Sequence, residues 1–402
     1  MSHRYDVIVL GARCAGSPLA MLLARRGYRV LVVDRATFPS DTISTHILQP
    51  RGVAALSRWG LLDRLAATEC PPIHTYAFDS GPFTIAGAPG NDEAPFAYCP
   101  RRTVLDALLV TAAAEAGVEV REDFTVEDIL VESGRVVGIR GRSKGGAAIV
   151  ERAPIVVGAD GQRSKLANVV GARQYHERPL LEAGYYSYWS GLPMNGRYEI
   201  YIRHNRAFGA APTHDGLTMI VGGWPYAEFE ANKKDVAQHF LAMLELAPSF
   251  AARVREASRE APFVGMPVPN FFRTPYGPGW VLVGDAGYTK DPVTAQGIAD
   301  AFCDAERCSV AIDAALSGRG SFDEVMHTYQ RERDEHALPM YELTCQLASF
   351  QPPPAEMQHV LGAIHGNQAA MDGFVRMNAG TISPAVFFSP ENLGPIMAAA
   401  AR

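Results

Sequence analysis

A strand, a glycine-rich turn and an alanine- and leucine-rich helix open the sequence, and this arrangement constrains the fold more than any other feature. The strand is the apolar run of residues 5–10, and a second run of the same kind, residues 29–34, follows the helix. Short, continuous apolar runs on both sides of a helix are typical of a parallel βαβ unit, in which both faces of each strand are buried. The opening therefore predicts an α/β protein with a Rossmann-like sheet.

The turn between strand and helix reads Gly11-Ala-Arg-Cys-Ala-Gly16. Glycines at its two ends allow a tight turn and close packing of helix on strand, and the N–H groups at the helix start would face a pyrophosphate. Asp34 ends the second strand at about the 20-residue spacing of a carboxylate that binds an adenosine ribose. We therefore predict a dinucleotide site with contacts from Gly11, Arg13, Cys14, Ala15, Gly16, Asp34 and Arg35.

Arg13 occupies the position at which the dinucleotide-binding pattern has its middle glycine. Its guanidinium would donate charge-assisted hydrogen bonds to a pyrophosphate. Alternatively, the side chain points outward and the turn simply tolerates it. Because one imperfect glycine pattern is weak support for a nucleotide site, the prediction needs further motifs.

Four later segments supply such motifs. Residues 158–164 (Gly-Ala-Asp-Gly-Gln-Arg-Ser) and residues 284–297 (Gly-Asp-Ala-Gly-Tyr-Thr-Lys-Asp-Pro-Val-Thr-Ala-Gln-Gly) resemble two signatures of the class A flavoprotein monooxygenase superfamily. Residues 102–106 and 329–333 resemble its helix-start arginine and its carboxy-terminal Tyr/Arg helix. This is the superfamily of para-hydroxybenzoate hydroxylase, and it includes geranylgeranyl-type reductases and flavin-dependent halogenases. The resemblance implies a FAD-binding domain interleaved with an antiparallel-sheet substrate domain.

Aromatic-rich alternation between residues 182 and 224 independently indicates antiparallel strands. Segments of the parallel type flank it on both sides, so each predicted domain is discontinuous. The predicted FAD-binding domain comprises residues 1–72, 100–176 and 270–330. The predicted substrate domain comprises residues 73–99 and 177–269. Residues 331–402 are predicted to form a helical C-terminal tail. This tail could either close the pocket or form a homodimer contact, and the sequence does not distinguish these two roles.

The resemblance implies the remaining cofactor contacts. Asp285 would accept hydrogen bonds from the ribityl hydroxyls of FAD, although capping a turn is an alternative role for an aspartate. Pro292 would pack near the isoalloxazine. The helix that begins at Gly297 would turn its N–H groups toward the pyrimidine edge of the ring, where they stabilise the negative charge of reduced flavin. Further contacts are expected from Arg102, Asp160, Gln296 and Ile298.

Candidates for chemistry and substrate binding are fewer. His46 lies in a segment that family members bring toward the flavin, which makes it a candidate proton donor or substrate contact. Tyr288 stands where the family often has a histidine. For both, a packed side chain without chemistry is the alternative. The aromatic alternation predicts an apolar substrate with contacts from Tyr188, Tyr201 and Trp224, although about half of such side chains face away from a ligand.

The fold alone does not determine the reaction. One dinucleotide turn is visible, so NAD(P)H is expected as a transient reductant, and the Trp-x-Trp-x-Ile-Pro halogenase and Tyr-x-Trp-x-Phe-Pro reductase signatures are absent. The leading hypothesis is a monooxygenase that uses oxygen to hydroxylate an apolar aromatic or polycyclic small molecule through a flavin C4a-hydroperoxide. A reductase or dehydrogenase, a halogenase and a non-catalytic flavoprotein are the alternatives.

Composition argues against several other classes. The 37 basic and 43 acidic residues give a formal charge of −6 without any basic run, so nucleic acid is not an expected partner. No apolar stretch approaches the ~20 residues of a transmembrane helix, and no signal peptide is recognised. Six cysteines without a Cys-x-x-Cys pair predict reduced thiols and a cytoplasmic location. The histidines lack metal-ligand spacing, so no metal is predicted.

Overall fold

The structure is a computed structural model that describes residues 4–400, so residues 1–3 and 401–402 of the predicted end segments lie outside the described part. Its strands are β1 Val7–Leu10, β2 Val30–Val33, β3 Thr75–Asp79, β4 Thr84–Gly87, β5 Glu119–Arg121, β6 Phe124–Glu132, β7 Arg135–Ser143, β8 Ile149–Arg152, β9 Ile155–Gly158, β10 Gln174–Arg178, β11 Glu182–Ser190, β12 Arg197–Arg203, β13 Arg206–Pro212, β14 Thr218–Pro225, β15 Ser258–Arg259, β16 Val264–Pro267, β17 Asn270–Arg273, β18 Tyr276–Gly277, β19 Trp280–Leu282 and β20 Tyr288–Thr289.

Helices connect and cover these strands. They are α1 Gly16–Ala24, α2 Pro50–Arg58, α3 Leu62–Ala66, α4 Arg102–Glu115, α5 Lys165–Val169, α6 Phe229–Asn232, α7 Val236–Leu244, α8 Pro248–Arg255, α9 Gly297–Leu316, α10 Phe322–Ala348, α11 Ala355–Ile364, α12 Gln368–Asn378, α13 Pro384–Phe387 and α14 Pro390–Ala400. Short 3₁₀ turns occupy His214–Gly216, Tyr226–Glu228, Gly284–Ala286 and Pro292–Thr294.

The parallel sheet has the strand order β18-β19-β9-β1-β2-β5, in which only β18 runs antiparallel to its neighbour. One face packs against α1, α4 and α9. The other face packs against a small antiparallel sheet, β6-β7-β8. Both faces of β1 are thus buried, which explains why its sequence is apolar without interruption.

A larger, mainly antiparallel sheet has the order β15-β11-β14-β13-β12-β3-β4, with β16 beside β11. Its one parallel pair joins β12 to β3, which comes from much earlier in the chain. One face packs under α7 and α8, and the opposite face turns toward the FAD-type half of the molecule. The predicted fold class, an α/β protein with interleaved parallel and antiparallel parts and a helical C-terminal region, is confirmed.

The C-terminal helices pack on the edge of this second sheet. The ring of Phe374 in α12 lies 5.4 Å from the ring of Phe78 in β3. The backbone N–H of Ala88 donates to Oδ1 of Asp372 at 3.1 Å, and a Cβ at Gly87 would lie 2.5 Å from the same oxygen. This close contact shields an otherwise open strand edge, the kind of surface that pairs with other chains when it is exposed.

Two kinds of feature are absent from the described residues 4–400. No helix among them is long and apolar enough to cross a membrane. No three His, Cys, Asp or Glu side chains among them are placed to hold a metal ion.

We predict that the C-terminal helices contribute to the same folded core as the two sheets. Phe387 of α13 is 1% exposed and packs against Phe374, so Phe387→Ala should lower the free energy of unfolding by about 3–5 kcal/mol. The neighbouring Val386 is 60% exposed, and Val386→Ala should change it by less than about 0.5 kcal/mol. Urea unfolding followed by circular dichroism measures both, and equal effects of the two substitutions would contradict the packing described here.

Candidate active site

A cleft of about 800 Å³ lies between the two halves of the molecule. One wall is formed where β1, β2, β9 and β19 end, and the facing wall comes from β11 to β14. Ligands of open α/β sheets bind at the carboxyl ends of the parallel strands, which is the position of this cleft.

The glycine turn at one end of the cleft is closed by direct contact between backbone segments. Gly11 has a φ of +99°, and a Cβ at this residue would lie 2.4 Å from the carbonyl oxygen of Ala159. A Cβ at Gly16 would lie 1.8 Å from the carbonyl oxygen of Gly11. Asp34 fixes the turn from the side, because its carboxylate accepts the N–H groups of Ala12 and Ala36, both at 2.8 Å. Ala15, Cys14 and Arg35 also line the cleft here.

Arg13 and Arg102 converge on one carboxylate that sequence reasoning did not single out. Asp106 is fully buried and accepts hydrogen bonds from Nη2 of Arg102 at 2.9 and 3.0 Å and from Nη1 of Arg13. Cys14 donates its thiol to the same carboxylate at 3.3 Å. Arg13 also bonds Ser40. The available signal was the i, i+4 spacing of Arg102 and Asp106 on one helix face.

Two further carboxylates line the cleft. Oδ2 of Asp160 accepts the backbone N–H of Lys165 at 2.7 Å, Oδ1 has no partner within residues 4–400, and burial raises the pKa of this group. Asp285 is exposed to the cleft, although protein encloses it on the other sides. That enclosure raises the pKa of Asp285, while the nearby charges of Arg102 and Lys290 oppose the rise.

Helix α9 points its amino terminus into the cleft. Gly297, its first residue, is exposed there, and a Cβ would meet no protein atom within 4 Å. Pro292 and Ile298 line the cleft beside it. Gln296 also lines the cleft, and its side chain accepts from Arg51 of α2 at 2.9 Å and donates to the carbonyl of Asn378 at 2.8 Å.

This donor set fits FAD. Two helix N-termini, those of α1 and α9, present N–H groups at the cleft. Gly11 and Gly16 let α1 pack directly on the strand ends, and the absent side chain of Gly297 leaves room for a ligand in front of α9. Asp34 and Asp285, the carboxylates expected to bind the ribose and ribityl hydroxyls, both line the cleft.

Lys290 adds a buried positive charge that sequence reasoning also missed. Its ammonium group pairs with Asp300, which accepts a second hydrogen bond from Arg51 at 2.9 Å. Burial alone would raise the pKa of Asp300, but the two cations outweigh it and lower the pKa to about 2. Lys290 therefore lines the cleft as part of a fixed ion pair.

The two candidate catalytic side chains differ in position. His46 is fully buried and is not among the described residues that line the cleft. Its Nε2 lies 2.8 Å from the hydroxyl of Tyr188 and its Nδ1 lies 2.7 Å from the carbonyl of Ser44. Burial lowers the pKa of His46 to about 4. Tyr288 does line the cleft, where it stacks on Phe272 with ring centroids 5.0 Å apart.

The structure does not bring the three predicted substrate contacts to the cleft. Tyr188 packs behind the wall against His46. Tyr201 and Trp224 lie on the face covered by α7 and α8, because strand alternation sends their side chains to that side. The cleft wall instead carries Tyr186, Tyr198, Ile200 and Val221.

The buried, neutral state of His46 predicts a pH-dependent stability. The unfolded chain protonates this histidine near pH 6.5 and the folded chain only near pH 4, so its contribution is complete above pH 6.5 and is lost as the pH falls toward 4. Wild type should therefore lose about 2 kcal/mol of unfolding free energy through this group between pH 7 and pH 5. Urea titrations at both pH values should show a smaller loss for His46→Asn, which keeps a residue that tolerates the positive φ. The control is His204→Asn, a substitution at an exposed histidine. An equal effect of both variants on the pH dependence of the unfolding free energy would refute the prediction.

The open space in front of Gly297 predicts that a side chain at this position would weaken FAD binding without lowering the stability of the fold. Gly297→Ala should weaken FAD binding roughly tenfold or more, because the added methyl would occupy space needed by the ligand, while the apoprotein keeps its stability. Gly362→Ala, also at an unobstructed helical glycine but far from the cleft, should leave FAD binding unchanged. Quenching of FAD fluorescence and thermal unfolding of the apoprotein measure the two quantities. If Gly297→Ala binds FAD with unaltered affinity, the flavin does not bind at this end of α9.

The sequence matches a family of FAD-binding proteins, which agrees with the ligand that the cleft fits. A family model described as FAD binding domain matches residues 4–344. Tryptophan 2-halogenase from Chondromyces crocatus is 23% identical over 404 residues, which cover 94% of this chain and 76% of the halogenase. Digeranylgeranylglycerophospholipid reductase from Methanocella arvoryzae is 27% identical over 312 residues, which cover 75% of each protein.

A solved structure shares the overall fold. It is that of pqsL, described as a probable FAD-dependent monooxygenase from Pseudomonas aeruginosa, with a TM-score of 0.72 and 21% identity over 92% of this chain and 99% of that one. At this identity, the likeness concerns the fold alone. The family match, in contrast, spans most of the chain and includes the glycine turn, Asp285 and Gly297. The chain therefore belongs to the FAD binding domain family within the class A flavoprotein superfamily, whose members are FAD-dependent oxidoreductases and halogenases.

Proposed function

We propose that this chain is a monooxygenase that hydroxylates an apolar aromatic or polycyclic small molecule, with NAD(P)H as transient reductant and molecular oxygen as co-substrate. The observation that carries the proposal is the continuity of the cleft. The same space reaches from the glycine turn and the start of α9 to an apolar aromatic wall. Cofactor and substrate would therefore lie next to each other in one cleft.

The wall opposite α9 has the shape and chemistry for a flat, apolar ligand. Tyr186, Tyr198, Ile200 and Val221 supply apolar and aromatic surface. Glycines interrupt it, and a Cβ at Gly209 would lie 2.7 Å from the ring of Tyr198, so this glycine lets the tyrosine ring pack directly on the strand. Rings of a substrate would stack or pack edge-on against such side chains.

The protein's own groups have binding and positioning roles in this proposal. Bound FAD would supply the hydride acceptor and the oxygen activation. The α1 terminus would bind its pyrophosphate, and the α9 terminus would stabilise negative charge at the ring. Arg163, exposed beside Asp160 at the rim of the cleft, offers a positive charge to the phosphates of a reductant that binds and leaves.

A reductase is the second candidate. The chain is similar in sequence to an enzyme named as a digeranylgeranylglycerophospholipid reductase, and the apolar wall would also accommodate an alkene chain. Such an enzyme would saturate a carbon–carbon double bond without oxygen: reduced flavin would supply a hydride to one carbon, and a proton, ultimately from water, would be added to the other.

Isotope labelling distinguishes the reactions. The FAD-loaded protein, given NADH or NADPH, is screened under ¹⁸O₂ against phenols, naphthols, hydroxyquinones and polyenes, with protein stripped of FAD as the control. We expect an aromatic compound to accelerate NAD(P)H oxidation and to gain one ¹⁸O atom while the second appears in water. Saturation of an alkene under nitrogen would favour the reductase instead, and halide-dependent halogenation would favour a halogenase.

A further inference from the structure

Residues 42–45, here called the cleft segment, line the cleft within the connection between β2 and α2. They form neither helix nor strand, and Ile43 among them is 44% exposed. A stretch of chain with few buried apolar contacts can open locally at a small cost in free energy. The contacts at the two ends of the cleft segment therefore determine how firmly it is held.

Arg13 holds the end of the cleft segment that comes first in the chain. Its Nη1 donates to the carbonyl of Ser40 at 3.2 Å, and its Nη2 donates to the hydroxyl of Ser40 at 3.0 Å and to the carbonyl of Asp41 at 3.2 Å. Nη1 also donates to Asp106 of α4. The guanidinium lies 5.1 Å from the ring centre of Phe38. Arg13 therefore ties the residues just before the cleft segment to the glycine turn and to α4.

The protein itself uses nearly all the hydrogen-bond donors of Arg13. A guanidinium carries five N–H groups. Four of those of Arg13 donate to protein acceptors, so only the N–H of Nε is left for a ligand. To bind a pyrophosphate through both terminal nitrogens, the side chain would have to give up these contacts. The contacts thus indicate a role different from the two considered from the sequence, a pyrophosphate contact and an outward-pointing side chain.

A separate set of contacts holds the other end of the cleft segment. The N–H of Ile47 donates to the carbonyl of Thr45 at 2.7 Å, which closes a three-residue turn around His46 with its φ of +61°. Nδ1 of His46 donates to the carbonyl of Ser44, and Nε2 accepts from the hydroxyl of Tyr188. This end is therefore fixed to the second sheet by a fully buried side chain, independently of Arg13.

We propose that Arg13 is a positioning residue that keeps the cleft segment closed over bound FAD and thereby sets the rates at which the cofactor enters and leaves. The acceptors of Arg13 are protein groups, present with and without the cofactor, so its contacts stabilise the closed segment in both states. This role is independent of the reaction that bound FAD performs.

The kinetics of FAD binding distinguish this role from a phosphate contact. If Arg13 holds the cleft segment closed in both states, its loss speeds up FAD binding and FAD release together and changes the equilibrium affinity little. If Arg13 binds the pyrophosphate, its loss speeds up release alone and weakens the affinity by the same factor.

Stopped-flow fluorescence of FAD measures both rates without turnover. Mixing FAD with the apoprotein gives the association rate, and diluting the FAD-loaded protein gives the release rate. Arg13→Gln should raise both about tenfold, the value of one hydrogen bond to a charged group, and should change the Kd less than about threefold. Asp106 stays paired with Arg102 in this variant, so no buried carboxylate is left without a cation. Faster release with an unchanged association rate would overturn the inference.

Two further variants separate the shape of the guanidinium from its charge. Arg13→Lys keeps the positive charge, but a single ammonium group cannot replace two nitrogens that donate in different directions, so this variant should behave like Arg13→Gln. Arg35→Gln removes a positive charge from an exposed residue that also lines the cleft, and it should not speed up FAD binding. Wild-type rates in Arg13→Lys, or faster association in Arg35→Gln, would overturn the inference.

A double-mutant cycle tests whether Arg13 acts through the residues before the cleft segment. Ser40→Ala removes one acceptor of Arg13 and leaves the ion pair with Asp106 intact, so it stays informative if Arg13→Gln does not fold. It should raise both FAD rates about threefold on its own and add nothing in the Arg13→Gln background. Unchanged rates in Ser40→Ala, or fully additive effects of the two substitutions, would overturn the inference.

Proteolysis of the apoprotein gives a readout that needs no cofactor. Thermolysin cleaves before large apolar side chains, and the bond between Thr42 and Ile43 lies in the cleft segment. Under native conditions, Arg13→Gln should be cut at this bond about tenfold faster than wild type, because the rate follows the population of the open segment. Mass spectrometry of the fragments identifies the bond, and equal cleavage rates would overturn the inference.

Discussion

The close approach of α1 to the ends of β1 and β9 is the contact on which the cleft depends. Gly11 and Gly16 pack backbone against backbone, with no space for even a methyl group. Because this contact is free of side chains, the first N–H groups of α1 face the cleft at short range. Asp34 reinforces the turn by accepting two backbone N–H groups, so its carboxylate and the start of α1 are held in fixed positions relative to each other.

Buried charge near the cleft is arranged in groups of one carboxylate and two cations. Asp106 forms ion pairs with Arg13 and Arg102, and Asp300 forms ion pairs with Lys290 and Arg51. Buried ion pairs are weak sources of stability, but losing one partner is costly, so such pairs hold side chains in place. Against this background Asp285 differs, since no arginine or lysine forms a hydrogen bond with it among the described residues and its side chain is exposed to the cleft. A carboxylate in that position is available to a ligand.

The sequence alone predicts those parts of the fold that depend on local residue patterns. The parallel sheet followed from continuous apolar runs, and the glycine turn followed from its spacing. Alternation also predicts the antiparallel strands, but it does not determine which face of the sheet meets the cleft. Tyr201 and Trp224, predicted to contact the substrate, pack under α7 and α8. Tyr186, two positions before Tyr188, lines the cleft. Arg13 and Asp106 are far apart in sequence, and only the folded chain brings them together.

The same distinction explains why the reaction is harder to infer than the cofactor. Halogenase, reductase and monooxygenase relatives share the fold that holds FAD, so the glycine turn, Asp285 and the start of α9 do not separate them. Discrimination must come from what faces the flavin across the cleft. In this chain that surface is an aromatic and apolar stretch of sheet. A flat ring would gain stacking and edge-on contacts from such side chains, and this is the physical basis for the proposal that the substrate is aromatic.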